Sequence, residues 1–337
     1  MITVGMIGAG RIGKLHVDNL LLNPQIKIKA VSDIATEHLK TWATSKSIPV
    51  LTTNYEDLLQ DSEIDAVFIC SPTNTHAEII EKAAMAKKHI FCEKPVSFSV
   101  EETLEALKVV EEAGVKLQVG FNRRFDPNFK KVQNLVRKGQ VGEPHILKIT
   151  SRDPEPPSLD YVRSSGGLFM DMMIHDFDMA RYVMGSEIVE VSAYGNALIN
   201  PEVKELGDID TAIVSLKFAN GALGVIDNSR QAVYGYDQRL EVFGSKGVVT
   251  ADNCRATTVE VATVEGVVQD KPLYFFLERY TQAYAEEVAQ FVRAILDHSA
   301  VICSGNDGLQ AERIARAAQQ SYLTGKPVKI EHGFVVN

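Results

Sequence analysis

The run Gly166-Gly167-Leu168-Phe169-Met170-Asp171-Met172-Met173-Ile174-His175-Asp176-Phe177-Asp178 holds the densest set of residues able to do chemistry in this sequence. Its spacing predicts one helix over 168–184. Asp171 and His175 are then four apart and Asp178 three further on, so all three share a face, while Phe169, Met173 and Phe177 point elsewhere. An imidazole oriented by a nearby carboxylate is a suitable base near neutral pH. Hydride loss from a carbinol carbon requires its hydroxyl proton to leave, so the pair fits alcohol oxidation. An ordinary helix with a local histidine–aspartate hydrogen bond would show the same pattern, and only a cofactor motif elsewhere favours chemistry. As a metal site the run is weak, since D-x-x-x-H supplies two ligands and spacing offers no third.

A second reactive group stands in Glu93-Lys94-Pro95, after a predicted strand. Most lysines lie on exposed helix faces. One on the ligand side of a sheet can anchor a reacting hydroxyl and stabilise a developing alkoxide. Pro95 stiffens the turn and can adopt a cis bond.

The cofactor motif opens the chain. Strand Ile2–Ile7 runs into Gly8-Ala9-Gly10-Arg11-Ile12-Gly13, a G-x-G-x-x-G at the start of a helix. Gly8 permits the turn, Gly10 lets backbone approach a pyrophosphate, Gly13 allows close packing, and the helix N-terminus faces the anion. Asp33, twenty positions beyond Gly13, can accept hydrogen bonds from ribose hydroxyls and repel a 2′-phosphate. With Ile34 and no arginine beside it, NAD is favoured over NADP. Cys70-Ser71-Pro72-Thr73-Asn74-Thr75-His76 follows another parallel strand on the ligand side. There Ser71 and Asn74 are candidate cofactor contacts, Thr75 is a candidate helix cap, and His76 reads as a first-turn helix residue. The expected cofactor set is Gly8, Gly10, Arg11, Ile12, Gly13, Asp33, Ser71, Asn74, Glu93 and Lys94. A sugar-sized pocket can draw on Asn122, Arg123, Arg124, Asp153, and Tyr234 and Tyr236 in the run Tyr234-Gly235-Tyr236-Asp237, with Tyr280 equally suited to packing.

These groups need elements to position them. Residues 1–121 alternate predicted strands (2–7, 26–32, 66–70, 89–92, 116–121) with helices (14–22, 36–45, 55–60, 76–86, 100–113), the pattern of a doubly wound parallel sheet. From 122 to 337 the pattern changes. A helix over 126–138 leads to a strand over 144–151 and the proline-rich stretch 153–157. Strand follows strand from 188 to 264, punctuated by Asn220-Gly221 and Gly244-Ser245-Lys246-Gly247. Helices over 278–296 and 308–323 and a strand over 327–331 close the chain. The fold class is α/β: a dinucleotide-binding domain, 1–121, and a second domain, 122–337, with a large open, mostly antiparallel sheet.

The 337 residues exceed one ordinary core. A net charge of -9, from 35 basic and 44 acidic residues, opposes nucleic-acid binding. Cys70, Cys92, Cys254 and Cys303 have neither zinc nor disulfide spacing. No signal peptide or membrane-length apolar run is present, so a cytoplasmic location is expected.

Together the glycine fingerprint, Glu93-Lys94-Pro95 and Gly166-Gly167…Asp171…His175-Asp176 resemble the glucose–fructose oxidoreductase/inositol dehydrogenase/rhizopine catabolism (Gfo/Idh/MocA) family along essentially the whole chain. Ser151-Arg152-Asp153-Pro154, Tyr234-Gly235-Tyr236-Asp237-Gln238-Arg239 and Phe243-Gly244-Ser245-Lys246-Gly247 resemble its inositol 2-dehydrogenase branch. The resemblance implies a Rossmann domain, NAD, and an open sheet that buries itself in homodimers or homotetramers. It implies a catalytic trio in which His175 takes the hydroxyl proton, Asp171 sets its tautomer and Lys94 steadies the oxygen. The substrate contacts expected are Lys94, Asn122, Arg124, Asp153, Asp171, His175, Tyr234 and Tyr236. The expected reaction is oxidation of a secondary alcohol on a cyclic polyol, with myo-inositol going to scyllo-inosose. The alternatives are another inositol isomer or sugar, a glycosidase acting by transient oxidation, and a silent NAD-sensing protein.

Overall fold

An almost unbroken apolar run makes β1 (Ile2–Ile7) a strand buried on both faces in the computed structural model, which describes residues 1–331. Continuous burial belongs to a parallel strand covered on two sides. With β2 (Ile26–Ser32), β3 (Val50–Thr52), β4 (Ala66–Ile69), β5 (His89–Glu93) and β6 (Leu117–Gly120) it forms a six-stranded, all-parallel sheet in the order β3-β2-β1-β4-β5-β6. The strand order reverses at β1, and such a switch point places ligands beyond the carboxyl ends of the strands. The short β3 is the one strand of this sheet that the sequence pattern did not predict.

The chain divides into two compact units: Met1–Phe125 with Gln282–Gln310, and Asp126–Thr281 with 311–331. The division expected from the sequence pattern lay at 121/122. The first crossing comes four residues later, and the helix Thr281–Leu296 returns, from Gln282 on, to the first unit. Side-chain spacing explains the return. Val288, Phe291, Val292 and Ile295 form a stripe at helical period and bury in one cluster with Val4, Met6, Phe68 and Phe91. Phe68 and Phe91 stack at 4.7 Å, and Phe291 meets them edge-on at 5.6 and 5.9 Å. Burying each such side chain contributes about 1.5–3 kcal/mol.

The second unit is built on β7 (Pro144–Arg152), β8 (Ile188–Asn196), β9 (Thr211–Phe218), β10 (Leu223–Ser229), β11 (Asp237–Gly244) and β12 (Gly247–Ala251). An exposed hairpin follows, β13 (Glu260–Thr263) and β14 (Gly266–Gln269), and then β15 (Val328–Lys329). The seven-stranded sheet runs β12-β11-β7-β10-β9-β8-β15, and every pair is antiparallel except β7 with β10. Period-two alternation gives it two different faces. In β9, Ala212, Val214, Leu216 and Phe218 are buried, whereas Ile213, Ser215 and Lys217 face out.

The outward face is not uniformly polar. Leu223 lies opposite Ile146, Ile146 opposite Phe243, and Phe243 opposite Val248, so an exposed apolar row crosses four adjacent strands. Tyr194 and Ile213 form another exposed pair.

Candidate functional site

In the first unit the glycine turn follows β1 directly. Gly8 sits at a φ of +89°, and a Cβ there would stand 2.6 Å from the backbone of Cys70 and Ser71. A Cβ on Gly13 would stand 2.1 Å from the Gly8 carbonyl oxygen, so the helix Arg11–Leu21 starts hard against the turn. Gly10 is the opposite case. It is exposed, with no atom within 4 Å of where a Cβ would be. The helix it begins has no side-chain cap and no acid in its first turn, leaving bare N–H groups for an anion. These residues fit the pyrophosphate of NAD. Arg11 is exposed and Ile12 half-buried beside them.

Asp33, just after β2, accepts from the Ala9 N–H at 2.8 Å and from the Ala35 N–H at 2.9 Å. It braces the glycine turn and keeps lone pairs for further donors. The Ser71 hydroxyl pairs with that of Thr75 at 2.7 Å, and Asn74 is exposed. Thr75 is not the side-chain cap expected of it, because its hydroxyl donates backwards to the Pro72 carbonyl at 2.7 Å. His76 is a first-turn helix residue, as read from the sequence. Its buried ring links the carbonyls of Ser71 and Pro95 at 2.8 Å each, and burial lowers its affinity for a proton.

Glu93 ends β5 with its carboxylate 2.6 Å from His16 Nε2, and Lys94 follows, half-buried, with a cis bond to Pro95. Ligand atoms of His16, Glu93 and the fully buried Glu287 lie within 4.8 Å of one another. Burial, and then the charge on Glu93, pushes the Glu287 carboxyl well above the usual range. Burial likewise raises the Cys70 thiol beneath the turn.

Asn122, Arg123 and Arg124 form a buried turn after β6. The Arg124 guanidinium meets Asp307 at 2.9 Å and the Ile302 carbonyl at 3.1 Å. These two bonds anchor Arg124 within its own unit.

In the second unit the stretch around His175 is not one helix. Gly167–Asp171 and Ile174–Met184 are separate, with Met172 and Met173 turning between them. The Leu168 N–H donates to Asp208 at 3.0 Å, which caps the first piece. The simple four-residue spacing of one helix face is thus corrected. The local environment remains distinctive: from 171 to 180 every residue is buried except His175. Asp176 and Asp178 are wholly buried, and Asp176 accepts from Asn228 at 2.9 Å.

Asp171 is held from two sides. Tyr161 donates its hydroxyl at 2.8 Å, and Arg230 Nη2 reaches the other oxygen at 2.7 Å. Arg230 Nη1 meets Asp153 at 3.2 Å. Burial and the charge on Asp171 keep the Tyr161 phenol protonated. Burial opposes the charge on Arg230, but Asp171 and then Asp153 outweigh it. Neither Tyr161 nor Arg230 was found from the sequence. The one available signal was an arginine closing the half-apolar strand β10, where few charges are buried.

The tyrosines part company. Tyr234 is partly exposed, donates to Asp237 at 2.5 Å and accepts from Arg152 at 3.3 Å. Tyr236 is buried, with its ring edge-on to Tyr280 at 5.9 Å. Tyr280 is buried as well, and the two rings pack against each other. The four cysteines are free thiols. Among the described residues no helix is long and apolar enough to cross a membrane.

Residues 2–121 match the family model described as "Oxidoreductase family, NAD-binding Rossmann fold", and residues 129–250 match "GFO/IDH/MocA C-terminal domain". A Bacillus subtilis protein named uncharacterized oxidoreductase YrbE is 65% identical over 331 residues, 98% of this chain and 97% of that one. A myo-inositol 2-dehydrogenase of Thermotoga maritima is 48% identical over 328 residues, 97% and 98% of the two chains. Among solved structures, scyllo-inositol dehydrogenase from Lactobacillus casei with bound NAD(H) and scyllo-inositol superposes with a TM-score of 0.91. It is 31% identical, covering 98% of this chain and 99% of that one.

Proposed function

This chain belongs to the GFO/IDH/MocA family of NAD-dependent oxidoreductases, and from that premise we propose that it oxidises a secondary alcohol of a cyclic polyol, with myo-inositol as substrate and scyllo-inosose as product. The end-to-end likeness to a protein named myo-inositol 2-dehydrogenase supports the substrate. The observation that carries the chemistry is His175, the one partly exposed residue in an otherwise buried stretch that also holds Asp171.

Bound NAD supplies the hydride acceptor. His175 takes the hydroxyl proton as the carbonyl forms, a task that needs a neutral imidazole near neutral pH. Asp171, fixed by Tyr161 and Arg230, sets the tautomer of that ring. The Lys94 ammonium donates to the reacting oxygen and stabilises its developing charge. Asp33 serves the adenosine ribose, while Ser71, Asn74 and Glu93 complete the cofactor side and Asn122, Asp153 and Tyr234 serve the polyol.

The test is a screen of inositol isomers and common sugars with NAD or NADP, following NADH absorbance. Fastest turnover is expected with myo-inositol and NAD, and Asp33→Ser should narrow the preference for NAD. Silence with every inositol, or sugar release from glycosides without net NADH, would overturn the assignment in favour of another polyol or the glycosidase chemistry.

The exposed apolar row Leu223–Ile146–Phe243–Val248 supports self-association through the open sheet face, giving a homodimer or homotetramer. Light scattering should report a multiple of the chain mass, and Phe243→Lys should lower it. A wild-type protein of single-chain mass would end that reading.

A further inference from the structure

Four groups from different parts of the second unit meet without being neighbours in sequence. Tyr161 comes from the helix Leu159–Ser164, Asp171 from the end of Gly167–Asp171, Asp153 from just beyond β7, and Arg230 from just beyond β10. Arg230 is buried, and its two terminal nitrogens go to two different carboxylates: Nη2 to Asp171 at 2.7 Å and Nη1 to Asp153 at 3.2 Å. Tyr161 occupies the other Asp171 oxygen at 2.8 Å, although the residue itself is 47% exposed. A buried carboxylate with one cationic and one hydroxyl partner has little rotational freedom.

We infer that Arg230 is a positioning residue for the reaction, clamping Asp171 and Asp153 at a fixed separation with one planar guanidinium, and that Tyr161 completes the clamp. This deepens the proposed function and rests on its reading of Asp171 and His175. A guanidinium cannot lose its proton at working pH, and its fork holds two acceptors at a set angle, which an ammonium does not. The geometry therefore does two things. It keeps Asp171 a charged acceptor aimed in one direction, and it places a permanent positive charge beside the group that orients the base. The charged and titratable groups seen about Asp171 include Tyr161 and Arg230 in contact with it, Asp153 on the far side of Arg230, and Asp208 at the start of its own helix; His175 is the base it is proposed to orient.

The sign of the pH effect follows. Removing the guanidinium withdraws positive charge from Asp171 and His175 together, so each holds its proton to higher pH. Both changes move the acid limb of kcat/KM upward. A residue that merely held the unit together would lower the rate equally at every pH and leave the limb in place.

The experiment measures kcat/KM against pH for wild type, Arg230→Met, Arg230→Lys and Tyr161→Phe, using NAD and the fastest polyol of the screen above. For Arg230→Met the acid limb is expected about one pH unit higher, with at least a tenfold loss at neutral pH and NAD affinity kept. Arg230→Lys should restore the limb but not the full rate, since charge returns without the fork. Tyr161→Phe should raise the limb by less. An Arg230→Met enzyme that folds and keeps the wild-type limb overturns the inference. Should that variant fail to fold, an unmoved limb in Tyr161→Phe does so instead. Asp171→Asn separates the two levels: near-normal turnover there removes the proposed role of Asp171 itself, whereas an inactive Asp171→Asn beside an unmoved Arg230→Met limb removes only the clamp.

Discussion

Replacing His175 with alanine is expected to cut kcat by roughly 10²–10⁴-fold while NAD affinity stays within about threefold of wild type. The asymmetry follows from placement. His175 is in the unit built on the seven-stranded sheet, whereas the glycine turn, Asp33 and the Glu93-Lys94 corner belong to the unit built on the parallel sheet. Deleting that imidazole removes the proposed proton acceptor and leaves the sequence of the other unit, with the helix N-terminus proposed to hold the pyrophosphate, unchanged. Lys94→Ala should give a loss of similar size, because an alkoxide that develops without a facing cation costs more than one with it. Pairing the substitutions sharpens the test. Groups that serve one transition state are strongly non-additive, so the double variant should be little slower than the worse single one. Stopped-flow NADH formation and fluorescence titration with NADH supply the two readouts. A His175→Ala enzyme of near-normal rate would strip the histidine of its assigned task. Effects that multiply would mean Lys94 and His175 serve separate steps.

The second large effect concerns stability. Asp126 and Arg279 form a buried ion pair, with Nη2 to Oδ1 at 3.3 Å and a still closer Nη1–Oδ2 contact. Asp126 does double duty, since its Oδ1 also accepts from the N–H groups of Asn128 and Phe129 at 3.0 Å and caps the helix Pro127–Arg137. Burial opposes the Arg279 charge, and Asp126 with the face of Tyr280 at 4.7 Å more than restores it. Arg279→Met leaves a carboxylate in a dry environment with no cation, and breaking a buried pair in this way costs about 3–5 kcal/mol. For a unit of this size that lowers its melting temperature by on the order of 10 °C. Replacing both residues, Asp126→Asn with Arg279→Met, should recover part of the loss, because the stranded charge is gone while asparagine still caps. Calorimetry at fixed protein concentration and without NAD checks both. A single variant within 1 °C of wild type would show that water reaches Asp126 and that the pair is not dry.

Some of this molecule is written in local pattern. The strand, glycine turn and helix at 2–21 were legible because each glycine answers a constraint of its own neighbourhood: a positive φ at Gly8, a backbone contact at Gly13, open space at Gly10. Alternation of strand and helix was enough for the parallel sheet, and period-two burial with Asn220-Gly221 was enough for the antiparallel one. Glu93-Lys94-Pro95 and the Asp171–His175 run were visible because unusual residue types stood at element ends.

Other features have no local signature, since they depend on which distant segments meet. A helical stripe at Val288, Phe291 and Ile295 says that a helix packs, not which sheet it packs on, and only the folded chain returns it to the nucleotide-binding unit. Helical spacing over 168–184 could not reveal the break at Met172–Met173, nor that Asp208, forty residues from Leu168, caps the start of the first piece. The same limit separates Arg124 from Arg230. Both are buried arginines after strands, but one meets Asp307 and the other grips Asp171 and Asp153. Sequence by itself determined most of the elements, the glycine turn and the reactive residue types, because these follow from backbone sterics and short-range periodicity. Tertiary structure alone decided the partner of each buried charge, because a desolvated ion takes whichever counter-charge the packing of remote segments brings within reach.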